Sequence, residues 1–380
     1  RSRHSCWTAL PIFDYSKNIT ADIPNEVETE SNVNITFKAP NSQFNTLSIS
    51  VDGNLPSNYK VENGKFTTAI SDLTADYHEI SLKYNEGKLE GEIYSNTFTV
   101  NVGSKTSIEA NNMTTTYNSN EKLVITLKDR KGNAVKGKEI EINLNGTNHS
   151  LTTDDDGKAT LTIDLIPGNY TAEIQFAGDG GYLSSCANAS IIMNQIDSQI
   201  TAPSISTTYN VAKNLAVTLK DEKGNVLAGQ NVIVRLNSKI YNKTTDANGQ
   251  IKISVNLPAK QYSAKITFSG SDIYKSSAKT TKVTVKKATP KLTASSKKFK
   301  AKSKTKKVTV TFKSNKNKVI KNSIIRLKVN KKTYKAKTNS KGIAALNVKL
   351  TKKGKYIAVF KYAGNSNYNP ISKKIRIIIK

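Results

Sequence analysis

A repeat with a period of 92 to 93 residues dictates the architecture of this chain. Each copy carries a turn that ends in glycine, and a tyrosine follows that glycine by 13 or 14 residues. The glycines are Gly157, Gly249 and Gly342. The tyrosines are Tyr170, Tyr262 and Tyr356. Such a repeat predicts small domains in series rather than one large core.

Further marks extend the repeat and set its boundaries. A glycine and a second tyrosine close each copy, and a more diverged copy around Asn63, Gly64 and Tyr77 opens the chain. The second tyrosines are Tyr182, Tyr274 and Tyr368. The predicted segments are an N-terminal extension (1–14), a diverged domain (15–102), two further domains (103–194 and 195–287) and a strongly basic domain (288–380).

The third copy predicts about seven short strands and no helix. Apolar residues alternate with polar ones, and the connecting turns are rich in glycine, asparagine and aspartate. The predicted strands are an entry strand near Ser204–Tyr209, then Leu215–Lys220, Asn231–Leu236, Ile240–Thr244, Gln250–Leu257, Gln261–Ser269 and Lys279–Lys286. Seven strands in a domain of this size are typical of an immunoglobulin-like sandwich, so the fold class is all-β, with tandem Ig-like sandwiches.

The first tyrosine of each repeat is interpreted as a structural tyrosine corner. In the clearest copy a leucine and a Pro167-Gly168 turn precede Tyr170. A phenol at this position can bond back to nearby backbone and fix the corner. Tyr262 and Tyr356 keep the leucine and tyrosine but vary the turn.

These motifs resemble the Ig-like repeats of adhesin-like surface proteins from methanogenic archaea, and more widely bacterial Ig-like repeats. The shared pattern comprises Thr-Leu-Lys-Asp, a Lys-Gly-Asn turn, Thr-Asp-x-x-Gly and Phe-x-Gly-x-x-x-Tyr, before a lysine-rich final domain. The resemblance implies display or attachment at the cell envelope, and hence an extracellular, cell-surface or cell-wall location. It carries over no binding-site motif.

An odd number of strands places the two ends of a domain at opposite poles, so short joins predict an elongated rod. The two cysteines, Cys6 and Cys186, are 180 residues apart and at non-equivalent places in the repeat. We therefore expect neither a disulfide within each sandwich nor a bridge between these two.

Charge separates the last domain from the others. Residues 288–380 contain 28 lysines and arginines and no aspartate or glutamate, whereas the remaining 287 residues hold 30 basic and 29 acidic side chains. A disordered basic tail is the usual alternative, but the alternation of Val308, Val310 and Phe312 indicates strands. The lysines predicted to contact a polyanion are Lys297, Lys298, Lys300, Lys302, Lys304, Lys306, Lys307, Lys331, Lys332, Lys352, Lys353, Lys373 and Lys374.

Two functional classes follow from this charge. In the first, the chain is an adhesin-like stalk whose basic domain associates with an anionic cell-wall or surface polymer, while the neutral domains face another cell or surface. The alternative is a general polyanion or nucleic-acid binder. Nucleic acid is disfavoured because lysine outnumbers arginine 26 to 2 in the basic domain and aromatic residues are few. Lysines that only keep the domain soluble are a third interpretation.

No enzymatic chemistry is predicted. The three histidines, His4, His78 and His149, occupy unrelated positions and match no triad or zinc spacing. The acidic turn 154–156 could ligate calcium, but the equivalent turn of the last domain has no acid. We therefore expect no cofactor and no small-molecule substrate.

Overall fold

The computed structural model describes residues 12–14, 19–39, 45–85 and 93–380, and in these residues the regular structure is entirely β. Within them the structure contains no helix with the length and apolar character needed to span a bilayer. The buried apolar residues there form four clusters, and the buried members of each fall inside one of the four predicted domains. The protein is thus a tandem array of Ig-like β-sandwiches.

The first sandwich is the most diverged. Its strands are β1 (Ile12–Asp14), β2 (Ile19–Asp22), β3 (Glu26–Glu28), β4 (Val33–Lys38), β5 (Asn45–Val51), β6 (Ser57–Val61), β7 (Lys65–Ile70), β8 (Asp76–Asn85) and β9 (Ile93–Ser104). One sheet has the order β1-β2-β4-β7, and β9-β8-β5-β6 form the other, with β3 beside β9. Strand β1 lies in the segment predicted as an extension, yet it pairs with β2.

The three later sandwiches repeat one strand pattern. The second has β10 (Thr106–Ala110), β11 (Met113–Thr116), β12 (Lys122–Asp129), β13 (Glu139–Leu144), β14 (Thr147–Thr152), β15 (Lys158–Thr162), β16 (Gly168–Phe176), β17 (Gly181–Tyr182) and β18 (Ser185–Asn194). The third has β19 (Ser198–Thr201), β20 (Ile205–Thr208), β21 (Lys213–Asp221), β22 (Asn231–Leu236), β23 (Lys239–Thr244), β24 (Gln250–Val255), β25 (Lys260–Phe268) and β26 (Ser277–Lys286). The fourth, called here the basic sandwich, has β27 (Lys291–Thr293), β28 (Lys297–Phe299), β29 (Lys307–Lys313), β30 (Ile324–Val329), β31 (Lys332–Lys337), β32 (Ile343–Asn347), β33 (Gly354–Tyr362) and β34 (Ile371–Ile379).

Each of these sandwiches packs a three-stranded sheet on a five-stranded sheet. In the basic sandwich the orders are β27-β29-β32 and β28-β34-β33-β30-β31. Strand β30 alternates exposed and buried residues, and its buried Ile325, Leu327 and Val329 join the core. Alternation of this kind gives each sheet one core face and one solvent face.

The entry segment is divided between the two sheets, and the prediction of a single entry strand was wrong. In the third sandwich, β19 pairs antiparallel with β21 in one sheet, and β20 pairs parallel with β26 in the other. Pro203 lies between them and has no backbone N–H to donate to a ladder. The sandwich therefore has eight strands rather than seven.

The Thr-Asp-x-x-Gly motif builds a turn that braces the two sheets. The buried Thr245 donates its hydroxyl to the carbonyl of Leu227, at 2.6 Å, and Asp246 accepts the backbone N–H groups of Asn248 and Gln250. Gly249 has a φ of +68°, and a Cβ there would lie 2.7 Å from a backbone oxygen. Only glycine fits such a position, so the motif is a requirement of the fold.

The chain divides into two compact units, residues 1–195 and 196–380. The predicted rod remains a prediction. The expectation that the cysteines stay unpaired was wrong for Cys186, which is disulfide-bonded. Cys6, the other cysteine of the chain, lies outside the described residues.

Candidate functional site

Twelve of the thirteen predicted lysines are exposed in the basic sandwich. Lys297 and Lys298 lie on β28, and Lys373 and Lys374 lie on β34, its parallel neighbour in the same sheet. The others lie elsewhere around the sandwich: Lys300, Lys302 and Lys304 between β28 and β29, Lys307 at the start of β29, Lys331 and Lys332 at the β30–β31 hairpin, and Lys352 and Lys353 before β33. Runs of adjacent lysines therefore do not form one contiguous surface.

Lys306 is different, because its side chain is only 5% exposed. Its ammonium donates to the carbonyls of Ala301, at 3.1 Å, and Ser303, at 2.7 Å. Both bonds close the loop that leads into β29. Lys306 thus supports this loop and is not placed to contact a polymer.

The sheet register aligns three cations that do not adjoin one another in sequence. Lys335 on β31 lies opposite Arg326 on β30, and Arg326 lies opposite Lys361 on β33. All three are exposed. We call these three residues the cation row. Sequence reasoning missed them because cross-strand register cannot be read from spacing alone.

More positive charge flanks the cation row on the same outer face. Lys328 follows Arg326 by two residues on β30, and Lys374 and Arg376 lie on β34. Arg376 faces Ile357, whose side chain is 67% exposed. The face is therefore a basic surface that also contains exposed apolar side chains.

The opposite face of the basic sandwich carries fewer cations, and these lie at the ends of its strands. Outward positions of the three-stranded sheet pair Thr293 with Thr311 and Thr309 with Ala345. Lys291 and Lys313 oppose each other at one end of this sheet, and Lys307 lies opposite Asn347 at the other end. The positive charge of the outer faces is consequently concentrated on the five-stranded sheet.

The same register in the other sandwiches carries different charges. In the third sandwich the row, continued onto one further strand, consists of Asn242, Ile233, Thr267 and Ala278, and none of these residues is charged. In the second it is Ser150, Glu141, Gln175 and Cys186, with one acid. The fold accepts acidic, neutral or basic residues here, so it does not require the cations of the basic sandwich.

The basic sandwich also keeps its turns without acidic side chains. Asn339 replaces Asp246, and its side-chain oxygen accepts the N–H groups of Lys341 and Ile343, each at 3.0 Å. Ser314 replaces Asp221, and its hydroxyl accepts two backbone N–H groups as that aspartate does. Neutral oxygens thus satisfy the turns that carboxylates satisfy in the third sandwich.

The first tyrosines of the repeats make the hydrogen bond expected of a tyrosine corner. Each phenol donates to the carbonyl four residues earlier, at 2.8 to 2.9 Å. The pairs are Tyr170 to Ile166, Tyr262 to Pro258 and Tyr356 to Lys352. The diverged copy departs from this pattern, since Tyr77 donates instead to Gly178 of the next sandwich, at 3.4 Å.

The second tyrosines of the repeats mark joints between domains. A linker residue pairs in parallel with the loop that contains the tyrosine, as with Ser104 and Tyr182, and with Ala288 and Tyr368. A Cβ at Gly103 would lie 2.5 Å from the backbone of Gly181, so the first of these joints needs glycine. Each linker is therefore anchored by the domain that follows it.

Side chains reinforce the joint that holds the basic sandwich. The Tyr209 ring packs against the cores of both the third and the basic sandwiches. Asn315 donates to the carbonyl of Tyr209, at 3.2 Å, and the side chain of Asn367 accepts the N–H of Ala259, at 2.9 Å. These contacts fix the basic sandwich to its neighbour.

His78 is the buried histidine of the described residues, and its contacts are structural. Its Nδ1 lies 2.7 Å from Asp52 and its Nε2 lies 2.8 Å from the carbonyl of Thr74. Burial alone lowers the pKa of His78, but these two hydrogen bonds and the carboxylates of Asp52 and Asp76 outweigh it and raise the pKa. Over the residues that the structure covers, no three His, Cys, Asp or Glu side chains are grouped for metal binding.

Comparison with known proteins supports the domain type. Residues 213–298 match the family model of the macroglobulin domain MG4. The matched stretch runs from β21 of the third sandwich to β28 of the basic sandwich, which is less than a quarter of the chain. It shows similarity to a macroglobulin domain over these residues. No curated protein sequence matches the chain significantly.

Two solved structures are similar over most of this chain. One is a Ca²⁺-stabilised adhesin that helps an Antarctic bacterium to bind ice, with 15% identity, 93% of this chain and 96% of that chain covered, and a TM-score of 0.29. The other belongs to a 1.5-MDa bacterial ice-binding adhesin, with 14% identity, 73% and 100% covered, and a TM-score of 0.28. At such scores neither carries an argument about function, and the methanogen resemblance remains a prediction.

Proposed function

We propose that this chain is a non-enzymatic, adhesin-like protein of the cell surface. Its Ig-like sandwiches form a stalk, and the basic sandwich attaches it electrostatically to an anionic polymer of the cell wall or envelope. The observation that carries this proposal is that residues 288–380 hold 28 cations and no acidic side chain, whereas the rest of the chain is nearly neutral. A charge of this size attracts polyanions over distances of about 10 Å at moderate salt.

The fold does not require the exposed charge of the basic sandwich. The equivalent row of the third sandwich is uncharged in the same register, and uncharged Ser314 and Asn339 satisfy the turns of the basic sandwich. Like charges opposite each other in a sheet destabilise it. A partner of opposite charge accounts for their presence.

The joint between the third and basic sandwiches fits an attachment role. Tyr209 packs against both cores, and the backbone of Ala288 in the linker hydrogen bonds with Asn367 and Asn369, on either side of Tyr368. Force applied through the third sandwich would be passed to the basic one by these contacts. We propose that the neutral domains face a second surface and that the protein acts outside the cell.

Cosedimentation tests the proposal with the full chain. The unmodified protein is compared with a variant in which the twelve exposed predicted lysines and the three residues of the cation row are changed to glutamine, using purified anionic envelope polymer and, separately, DNA. We expect the polymer to retain the unmodified protein at low salt and to release the variant. Equal retention of both proteins would contradict attachment through the basic sandwich. Retention on DNA that persists at high salt would favour a nucleic-acid binder.

A further inference from the structure

We infer that the polymer lies on the outer face of the five-stranded sheet of the basic sandwich and runs across the strands along the cation row. This inference rests on the proposed attachment function and names its contact surface. Its occupant is a flexible linear polymer in which phosphate or carboxylate groups alternate with uncharged units.

The spacing of the cation row supports a polymer that crosses the strands. Lys335, Arg326 and Lys361 lie on three successive strands of one sheet. Neighbouring strands are about 4.8 Å apart, so the row places one cation at about every 5 Å across the sheet. Because lysine and arginine side chains are long and flexible, they can contact successive anionic groups of a polymer that are separated by one small uncharged unit. Arg326, at the centre, can also bind an oxyanion through two parallel N–H donors.

The apolar part of the face argues for uncharged units between the anions. Ile357 is 67% exposed and lies directly opposite Arg376, and the partly exposed Val359 lies opposite Lys374. A polymer whose anionic groups followed one another directly, with no uncharged unit between them, would give these apolar side chains no favourable contact. Sugar or polyol units between phosphates or carboxylates would cover them.

The energetics of the cation row set it apart from the loop lysines. Three cations in direct cross-strand register repel one another, and residues 288–380 offer no aspartate or glutamate to pair with them. Loop lysines such as Lys300, Lys302 and Lys304 are exposed outside the strands, where repulsion is relieved by moving apart. A bound anion removes the repulsion between the cations of the row. The free energy gained in this way is largest where the strands hold the cations in place.

The test compares two triple variants of the full chain that lose equal charge. One changes Lys335, Arg326 and Lys361 to glutamine, and the other changes Lys300, Lys302 and Lys304 to glutamine. The probes are poly(glycerol phosphate) for phosphate and polygalacturonate for carboxylate, titrated at low salt. Each cation in contact with the polymer should raise the affinity about fivefold. The row variant should therefore bind ~100-fold more weakly than the unmodified chain, and at least tenfold more weakly than the loop variant.

A second pair of variants separates binding from stability. Arg326→Glu copies Glu141, which occupies the equivalent position in the second sandwich, so the fold accepts it. The new carboxylate faces Lys335 and Lys361, and opposite charges in register stabilise a sheet. We expect a higher melting temperature together with weaker polymer binding. The control Lys302→Glu makes the same change of charge in a loop and should affect binding much less.

The outcomes distinguish the inference from the function on which it rests. Equal weakening by the row and loop variants would overturn the assigned surface while leaving electrostatic attachment intact. Failure of the unmodified chain to bind either polymer would overturn both. A phosphate probe that binds while the carboxylate probe does not, or the reverse, identifies the anion, and loss of binding by the row variant with that probe supports the inference.

Discussion

The hydroxyl of Tyr368 in the basic sandwich accepts a hydrogen bond from the side-chain amide of Asn210 in the third sandwich, with 2.9 Å between Oη and Nδ2. The rings of Tyr209 and Tyr368 meet edge to face in the same joint, with centroids 5.4 Å apart. The chain thus uses adjacent residues, Tyr209 and Asn210, to hold one tyrosine of the next domain. This pair makes the joint specific rather than a flexible tether.

Removing this hydrogen bond should weaken the joint. We expect Tyr368→Phe and Asn210→Gly each to lower the free energy of unfolding by about 1 kcal/mol, with glycine chosen because Asn210 has a φ of +65°. The double variant should lose little more than either single one, because both remove the same bond. Calorimetric unfolding of the four proteins measures this, and simple additivity of the two losses would show that the bond contributes nothing.

The glycines of the repeat differ in how strictly the fold needs them. Gly157 and Gly132, both in the second sandwich, have positive φ, but a Cβ at Gly157 would lie 2.7 Å from the carbonyl oxygen of Leu127, whereas Gly132 faces open space. Gly132→Ala should cost about 1 kcal/mol from backbone strain alone. Gly157→Ala should cost about 3 kcal/mol, because the clash adds to the strain. Urea unfolding compares the two, and equal losses would contradict this account of the turn.

The tyrosine-corner interpretation predicts effects on stability without effects on binding. Each of Tyr170→Phe, Tyr262→Phe and Tyr356→Phe removes one hydrogen bond to the carbonyl four residues earlier. The expected loss is about 1 kcal/mol in the domain that carries the change. Thermal unfolding and polymer titration are measured on the same samples. A loss of polymer binding by Tyr170→Phe, far from the basic sandwich in sequence, would argue against a purely structural role.

The first sandwich should lose stability as the pH rises above neutrality. Both partners of the His78 imidazole, the Asp52 carboxylate and the Thr74 carbonyl, are acceptors, so the protonated ring satisfies both. The pKa of His78 is raised above 6.5, so its contribution is complete below that pH and is lost as the pH rises through the folded value. The hydrogen bond from His78, reinforced by that from Glu79, outweighs burial and lowers the pKa of Asp52 below 3.8, so its contribution disappears only in acid.

Urea unfolding at about pH 5.5 and about pH 8.5 tests this pair. The first sandwich should be about 1 kcal/mol less stable at the higher pH. His78→Gln should remove most of that difference, since glutamine does not titrate. An unchanged pH dependence in the variant would assign the effect to other groups.

The sequence predicted the sandwich fold because its signals are local. The turn at Thr245 to Gly249 and the tyrosine Tyr262 each depend on contacts within one repeat, so their recurrence revealed them. The division of the entry segment around Pro203 was missed, because a strand that changes sheets keeps its alternation.

The candidate site was only partly predictable for a physical reason. Adjacent lysines such as Lys373 and Lys374 attract attention in a sequence, but neighbours on a strand point to opposite faces. Arg326 and Lys361 are 35 residues apart and meet only through strand register. Lys306 shows the converse, since its burial depends on a loop that spacing does not reveal.

The affinity of the full chain for an anionic envelope polymer, measured across a salt series, tests the central claim most directly. Attachment through the basic sandwich predicts a dissociation constant that rises steeply with salt, with a linear relation between their logarithms, because bound counterions are displaced on binding. The variant in which the twelve exposed predicted lysines and the cation row are changed to glutamine should lose most of this slope and most of the affinity. An affinity that does not change with salt, or that the variant retains in full, would contradict the claim.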